Sequence, residues 1–164
     1  MRLFLKITGC VVLILVSLYL SGGYKRFIKR RIAEYEGLVA LLSHMEEKIS
    51  HFLSFGEELW RDFRNEEMEK CGLLPLLREG EPIHSAFEKC KDRLSIAKSA
   101  SQKVYAELRR LGKGYLENEI QRVSEIKQAL EGQLSEEISE SEKNAKIADA
   151  LIFGAAAALI IIGL

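Results

Sequence analysis

Residues 31–52 read RIAEYEGLVALLSHMEEKISHF, and their pattern decides the fold. Apolar side chains recur here at alternating steps of three and four residues: Tyr35, Leu38, Leu42, Met45, Ile49 and Phe52. Side chains at that spacing share one face of an α-helix, and the glutamates of the stretch fall off that face. The pattern predicts a long amphipathic helix. Its apolar stripe is either the core face of a helical bundle or a short coiled-coil seam.

The residues after this helix predict a second, short helix followed by a break. Ser54 and Glu57 fit a capping box, in which both side chains satisfy free backbone N–H groups at a helix start. We expect a short helix from there, with Leu59 and Phe63 buried. Residues 71–82 are rich in helix breakers, so we expect a loop or a tight turn.

Three more helices are predicted towards the C-terminus. Pro82 suits the first position of a helix, and the next helix ends at the glycine Gly112. The last helix begins near Tyr115 and meets no strong breaker before the chain ends. The expected buried positions of these three helices are, in order, Ile83, Phe87, Cys90 and Leu94; Val104, Leu108 and Leu111; and Leu116, Ile120, Val123, Leu130, Leu134 and Ile138. No strand pattern occurs, so the predicted fold class is all-α.

Both ends of the chain are strongly apolar. Residues 3–20, LFLKITGCVVLILVSLYL, carry one charge, at Lys6, and about 20 apolar residues suffice for a helix to cross a bilayer. Residues 147–164, IADALIFGAAAALIIIGL, carry no charge from Ala150 onward. We expect an N-terminal transmembrane helix over residues 3–22, a cytoplasmic helical domain over 24–146 and a C-terminal transmembrane helix over 147–164.

The charges next to the first apolar run predict its orientation. Five basic residues follow it closely: Lys25, Arg26, Lys29, Arg30 and Arg31. A basic cluster of this kind stays on the cytoplasmic side, which argues against a cleaved signal peptide. The predicted location is therefore the cell membrane, with two passes and the helical domain in the cytoplasm. In the second run, Gly154, Ala155 and Ala158 form a small-residue face, which predicts either a plain anchor or packing against another membrane helix.

Charge and cysteine usage exclude some functions. Lys and Arg number 24, as do Asp and Glu, so the formal net charge is zero. General nucleic-acid binding needs a basic excess and is therefore not expected. Cys71 and Cys90 are expected to be free thiols, since two cysteines in a helical domain are more often reduced than paired.

The sequence offers no pattern for catalysis or metal binding. A phosphate-binding G-x-x-x-x-G-K-[ST] loop is absent. The three histidines, His44, His51 and His84, lack partners at metal-ligand spacing. The acidic residues of the last helix, such as Glu136 and Glu140, fit a solvated face. We expect no enzyme, no cofactor and no metal site.

One turn is a candidate docking patch. Gly112, Lys113 and Gly114 form the most exposed turn that the sequence predicts, and Arg109 and Arg110 lie directly before it. A charged, exposed turn of this kind suits the recognition of a partner protein.

Several segments together resemble the stage III sporulation protein AB family. They are residues 30–49, the LRRLG of 108–112, Gln121, Ile126 and Leu130, and the SEKNAK of 141–146 with Gly154 after it. The resemblance implies a membrane component of the channel between mother cell and forespore, similar to the platform protein of type II secretion and type IV pilus machines. The implied partners are a secretion-type ATPase and other membrane proteins of the channel.

A second hypothesis stands beside this one. The amphipathic helices also suit a general membrane tether or adaptor that forms homo-oligomers through a coiled coil. It predicts that the chain associates with itself in the absence of any channel component.

Overall fold

The computed structural model describes the backbone of residues 2–52, 58–111 and 116–163. Within these ranges the regular elements are helices and no strand occurs, which confirms the all-α prediction. The α-helices in chain order are α1 (Arg2–Phe52), α2 (Glu58–Arg61), α3 (Glu66–Lys70), α4 (Leu73–Arg78), α5 (Ile83–Cys90), α6 (Lys98–Leu108) and α7 (Leu116–Gly163). A 3-10 turn at Lys91–Arg93 follows α5.

The chain divides into two compact units. The terminal unit comprises Met1–Lys29 and Glu137–Leu164, and the core unit comprises Arg30–Glu136. Helices α1 and α7 each contribute residues to both units, whereas α2 to α6 belong to the core unit alone.

The stripe predicted on α1 is the core face of a helical bundle. Its members Tyr35, Leu38, Leu42, Met45 and Ile49 are buried in one hydrophobic cluster, while the side chain of Phe52 lies outside the described residues. The cluster also takes side chains from the five helices α3 to α7, among them Met68, Leu73, Leu74, Leu77, Phe87, Val104, Leu108, Val123, Ile126 and Leu130. The bundle interpretation of the stripe is therefore confirmed.

The loop predicted over residues 71–82 is wrong, because this stretch contains α4. Its breakers lie at helix ends. Gly72 has a φ of 89°, a left-handed conformation that glycine adopts at no steric cost, and it separates α3 from α4. Pro75 lies in the first turn of α4, where backbone N–H groups have no helical partner.

The remaining helix boundaries follow the sequence closely. Pro82 precedes α5 as its N-cap, with a φ of −58°, and α7 begins at Leu116 and runs unbroken. Helix α6 ends at Leu108, before the predicted Gly112. The capping box predicted at Ser54 and Glu57 lies outside the described residues.

A glycine of α1 allows α3 to pack closely. Asn65 caps α3, since its Oδ1 accepts a hydrogen bond from the Met68 N–H at 3.0 Å. A Cβ on Gly37 would lie 2.8 Å from that Oδ1 and 3.0 Å from the Met68 Cε. Gly37 is therefore the position where α1 leaves room for the cap of α3.

The prediction of transmembrane helices on both sides of the bundle is wrong. Among the residues that the structure describes, none of the helices combines the length and the apolar character needed to cross a membrane. The continuity of the last helix was expected from the sequence, whereas the first apolar run was expected to end near residue 22. In the structure each run is one end of a longer helix, α1 or α7, that is charged over much of its length. The two-pass topology loses its support with this finding.

The terminal unit shows large apolar side chains at its surface. On α1 they are Val11, Val12, Leu15, Val16, Leu18, Tyr19, Tyr24 and Phe27, and on α7 they are Ile138, Ile147 and Leu151. The expected burial of Ile138 is wrong, because α7 has left the core unit at this position. Each is at least one third exposed, whereas the apolar side chains of the core unit are mostly buried.

Candidate docking surface

The end of α6 carries the two arginines that the sequence singled out for docking. Arg109 and Arg110 both lie exposed directly after the helix. Arg110 Nη1 donates to Glu107 Oε1 at 3.1 Å, an exposed ion pair one helical turn apart. Pairs of this kind contribute only about 0.2–0.5 kcal/mol, so Arg110 exchanges its partner at little cost. Arg109 makes no ion pair within the described ranges.

A third arginine, from α7, braces this end of α6. Arg122 Nη1 donates to the carbonyl oxygen of Arg110 at 3.0 Å. The same nitrogen lies 3.5 Å from Oε1 of Glu119, which is buried. The contact fixes the backbone beneath Arg110 to α7. We call Arg109, Arg110 and Arg122 together the arginine end.

Part of the predicted docking patch is not described. Gly112, Lys113 and Gly114 lie within residues 112–115, outside the described ranges. Their role in docking stays a prediction. Arg122 was missed by the sequence analysis because only a tertiary contact joins it to Arg110, 12 positions away.

A buried carboxylate on α1 binds the segment of the core unit that precedes α6. Glu34 is 1% exposed. Its Oε2 accepts a hydrogen bond from the Ser95 N–H, and its Oε1 lies 3.4 Å from the Ser95 hydroxyl, which donates to it. Arg30 Nε donates to Oε1 at 2.8 Å. A buried charge is tolerated only when it is paired and hydrogen-bonded, and Glu34 meets both conditions.

The neighbours of Glu34 extend this network to the start of α6. The Tyr35 hydroxyl oxygen accepts a hydrogen bond from the Ala97 N–H at 3.3 Å. Arg30 Nη2 donates to the Arg93 carbonyl oxygen at 3.2 Å. The segment from Arg93 to Ala97 is thus held at both ends by one turn of α1, which sets the position where α6 begins.

His44, Cys71 and Cys90 of the core unit contribute to its packing. His44 Nε2 lies 2.9 Å from the Leu59 carbonyl oxygen, and its ring centroid lies 5.1 Å from that of Phe63. Cys71 and Cys90 are free, as predicted, and both are buried. Burial raises the pKa of both thiols above the ordinary value of 9.0, which keeps them in the unreactive protonated form. No cluster of His, Cys, Asp or Glu suited to a metal occurs within the described ranges.

The small residues near the C-terminus lie on the surface of the terminal unit. Gly154, Ala155 and Ala158 are exposed on α7. A Cβ on Gly154 would meet no atom within 4 Å. Their predicted role in packing against another helix stays a prediction.

The comparisons with known proteins give one match. A family model described as stage III sporulation protein AB matches residues 6–163. No curated protein and no solved structure matches the chain. The match covers nearly the whole sequence, and it confirms the resemblance that the sequence segments indicated.

Proposed function

The chain belongs to the stage III sporulation protein AB family and is therefore sporulation-related, and on that premise we propose that it is a non-enzymatic component of the channel between mother cell and forespore. In this role its core unit resembles a secretion platform. It docks a cytosolic secretion-type ATPase and other proteins of the channel.

The arginine end is the observation that supports docking. Arg109 and Arg110 are exposed, and the backbone that carries Arg110 is fixed by Arg122. A rigid, exposed cationic site speeds encounter with an acidic partner surface and selects against basic ones. The proposal therefore assigns the ATPase an acidic docking segment.

A charge-reversal experiment tests the docking site. The full chain, tagged and expressed in sporulating cells, carries Arg109→Glu and Arg110→Glu together, and co-purified proteins are identified by mass spectrometry. We expect the secretion-type ATPase with the wild type and at least about a tenfold loss with the variant, since an attraction becomes a repulsion. Spore formation falls in parallel.

The matched control changes the same amount of charge elsewhere on the core unit. Arg61→Glu with Lys103→Glu reverses two other exposed basic residues. ATPase recovery equal to the wild type in this control supports the arginine end. Equal loss in both variants contradicts a local site, and a wild type that recovers no ATPase contradicts the partner.

The second candidate, a self-associating tether, is favoured by the exposed apolar side chains of the terminal unit. Exposed apolar side chains that form a continuous patch mark an interaction site. Sedimentation velocity of the full chain in the absence of other channel proteins distinguishes the two candidates. A discrete dimer or larger oligomer supports the tether, and a monomer at all concentrations contradicts it.

A further inference from the structure

A depression of about 310 Å³ lies beside the first two turns of α6 and shares no residue with the arginine end. One wall is the face of α6 that carries Lys98, Ser101 and Gln102. These side chains share a face because they are three and four positions apart on a helix. Leu94 and Ile96, from the segment before α6, add apolar surface.

The Ser101 hydroxyl is a hydrogen-bonding group that the depression offers to a ligand. Ser101 is only 6% exposed, and it lines the depression. Its side chain makes no hydrogen bond with any residue in the described part of the chain. Its oxygen is not one of the fully buried polar atoms that lack a partner in the described part of the chain, so it is reachable from the depression, where a ligand or water can bond to it.

The charges around Ser101 favour an anion. Lys98 is exposed and has no ion pair within the described residues. Lys91 lies on another wall, with its Nζ 5.2 Å from the centroid of the Tyr105 ring and 3.6 Å from Oε1 of Glu88. Helix α6 also begins here, and its N-cap residue Ala97 provides no side-chain cap. The positive end of the helix dipole therefore adds to the positive electrostatic potential in the depression.

One acidic group opposes an anion at this place. Asp92 is exposed and lines the same depression. Glu88 is already engaged, since it pairs with Lys91 and accepts a hydrogen bond from the Tyr105 hydroxyl at 2.9 Å. Asp92 is thus the acidic group whose removal most directly strengthens the binding of a negative ligand.

We propose that this depression, the α6 pocket, binds a small organic anion through a phosphate or carboxylate group, with Lys98, Ser101 and Gln102 as donors. Small-molecule sites have volumes from about 300 Å³ upward, so the α6 pocket is at the lower end of that range. Its volume exceeds what a single phosphate ion needs. The rest of the ligand packs against Leu94 and Ile96. This inference is independent of ATPase docking.

Calorimetric titration of the full chain at low salt tests the proposal. The probes are phenyl phosphate, benzoate and the uncharged benzyl alcohol. We expect saturable binding of an anionic probe, weakened about tenfold by Lys98→Gln and severalfold by Ser101→Ala, since each change removes a donor to a charged group. Asp92→Asn tightens binding severalfold.

The control is Lys103→Gln, which removes the same charge from the same helix outside the α6 pocket. An unchanged affinity in this variant supports the site. Tighter binding of phenyl phosphate assigns a phosphate ligand, and tighter binding of benzoate assigns a carboxylate. Equal losses with Lys103→Gln and Lys98→Gln overturn the proposal, as does equal binding of benzyl alcohol or the absence of saturable binding to any probe.

Discussion

The core unit and the terminal unit use the same two helices in opposite ways. On α7, Leu130 of the core unit is 1% exposed, and Leu151 of the terminal unit is 68% exposed. On α1, Leu41 is 1% exposed and Leu15 is 60% exposed. Among the residues whose burial the structure describes, the apolar side chains of the core unit are therefore more buried than those of the two apolar runs. Within the core unit, the short helices α2 to α6 supply side chains that pack against α1 and α7.

The sharpest test of this contrast removes the same side chain from both parts of α7. Leu130→Ala is expected to lower the free energy of unfolding by about 2–5 kcal/mol, because it leaves a cavity in the core. Leu151→Ala is expected to change it by less than about 0.5 kcal/mol. Urea unfolding followed by the fluorescence of Trp60, the only tryptophan, and by far-UV circular dichroism measures both. Similar losses in the two variants contradict the contrast.

Removal of the buried Glu34 carboxylate tests whether the stability of the core unit depends on apolar burial alone. Glu34→Ala leaves the Ser95 N–H without its acceptor and is expected to cost about 1–3 kcal/mol. The loss stays below that of a fully buried ion pair because the Arg30 side chain is 56% exposed. The control, Glu36→Ala, removes an exposed carboxylate from the same turn and is expected to be nearly neutral. Equal effects of the two changes in urea unfolding exclude a special role for Glu34.

Alanine substitutions at two glycines of the long helices compare a position in close contact with one that faces open space. Gly37→Ala places a Cβ against Asn65 and is expected to cost up to about 2 kcal/mol, after a gain of about 1 kcal/mol in helix propensity. Gly132→Ala on α7 meets no atom within 4 Å and is expected to stabilise by about 0.5–1 kcal/mol. Thermal unfolding compares the two variants, and stabilisation by both argues against the packing of α3 on Gly37.

The smallest expected effect is a pH dependence carried by the buried thiols. The pKa values of Cys71 and Cys90 are raised in the folded chain. As the pH rises past about 9, the unfolded chain loses these protons first, so stability falls with pH until the folded pKa values are passed. Urea unfolding between about pH 8 and pH 11 should show this decline.

The control for the pH effect is the double variant Cys71→Ala with Cys90→Ala. Its decline should be shallower, whatever its absolute stability. Some decline remains because a hydrogen bond to Glu88 raises the pKa of Tyr105 as well. An unchanged slope in the double variant shows that the thiols do not carry the effect.

Local patterns were predictable from the sequence, and contacts between distant residues were not. The stripe from Tyr35 to Ile49 was predicted because helical periodicity lies within one segment. The burial of Glu34 depends on Ser95, 61 positions away, and the sequence carries no local signal for it. The same holds for Arg122, whose partner lies on another helix. At the arginine end, the exposure of Arg109 and Arg110 was predictable because they adjoin a glycine turn, and their role in docking stays a prediction.

The two wrong predictions have physical causes that particular residues show. Gly72 and Pro75 read as loop residues, yet each occupies a helix-end position that suits it. The apolar runs near Val11 and Leu151 read as transmembrane helices on their hydrophobicity, but none of the described helices has both the length and the apolar character to cross a membrane.

The ion pair between Glu46 of α1 and Lys127 of α7 joins residues 81 positions apart, and this has a consequence for protein synthesis. Ribosomes add about 5–20 residues per second, so about 4–16 s pass between the two residues. During that interval the apolar stripe of α1 is made but its last partners are not. The exposed stripe makes the nascent chain prone to aggregate during this interval, and slower translation lengthens the interval.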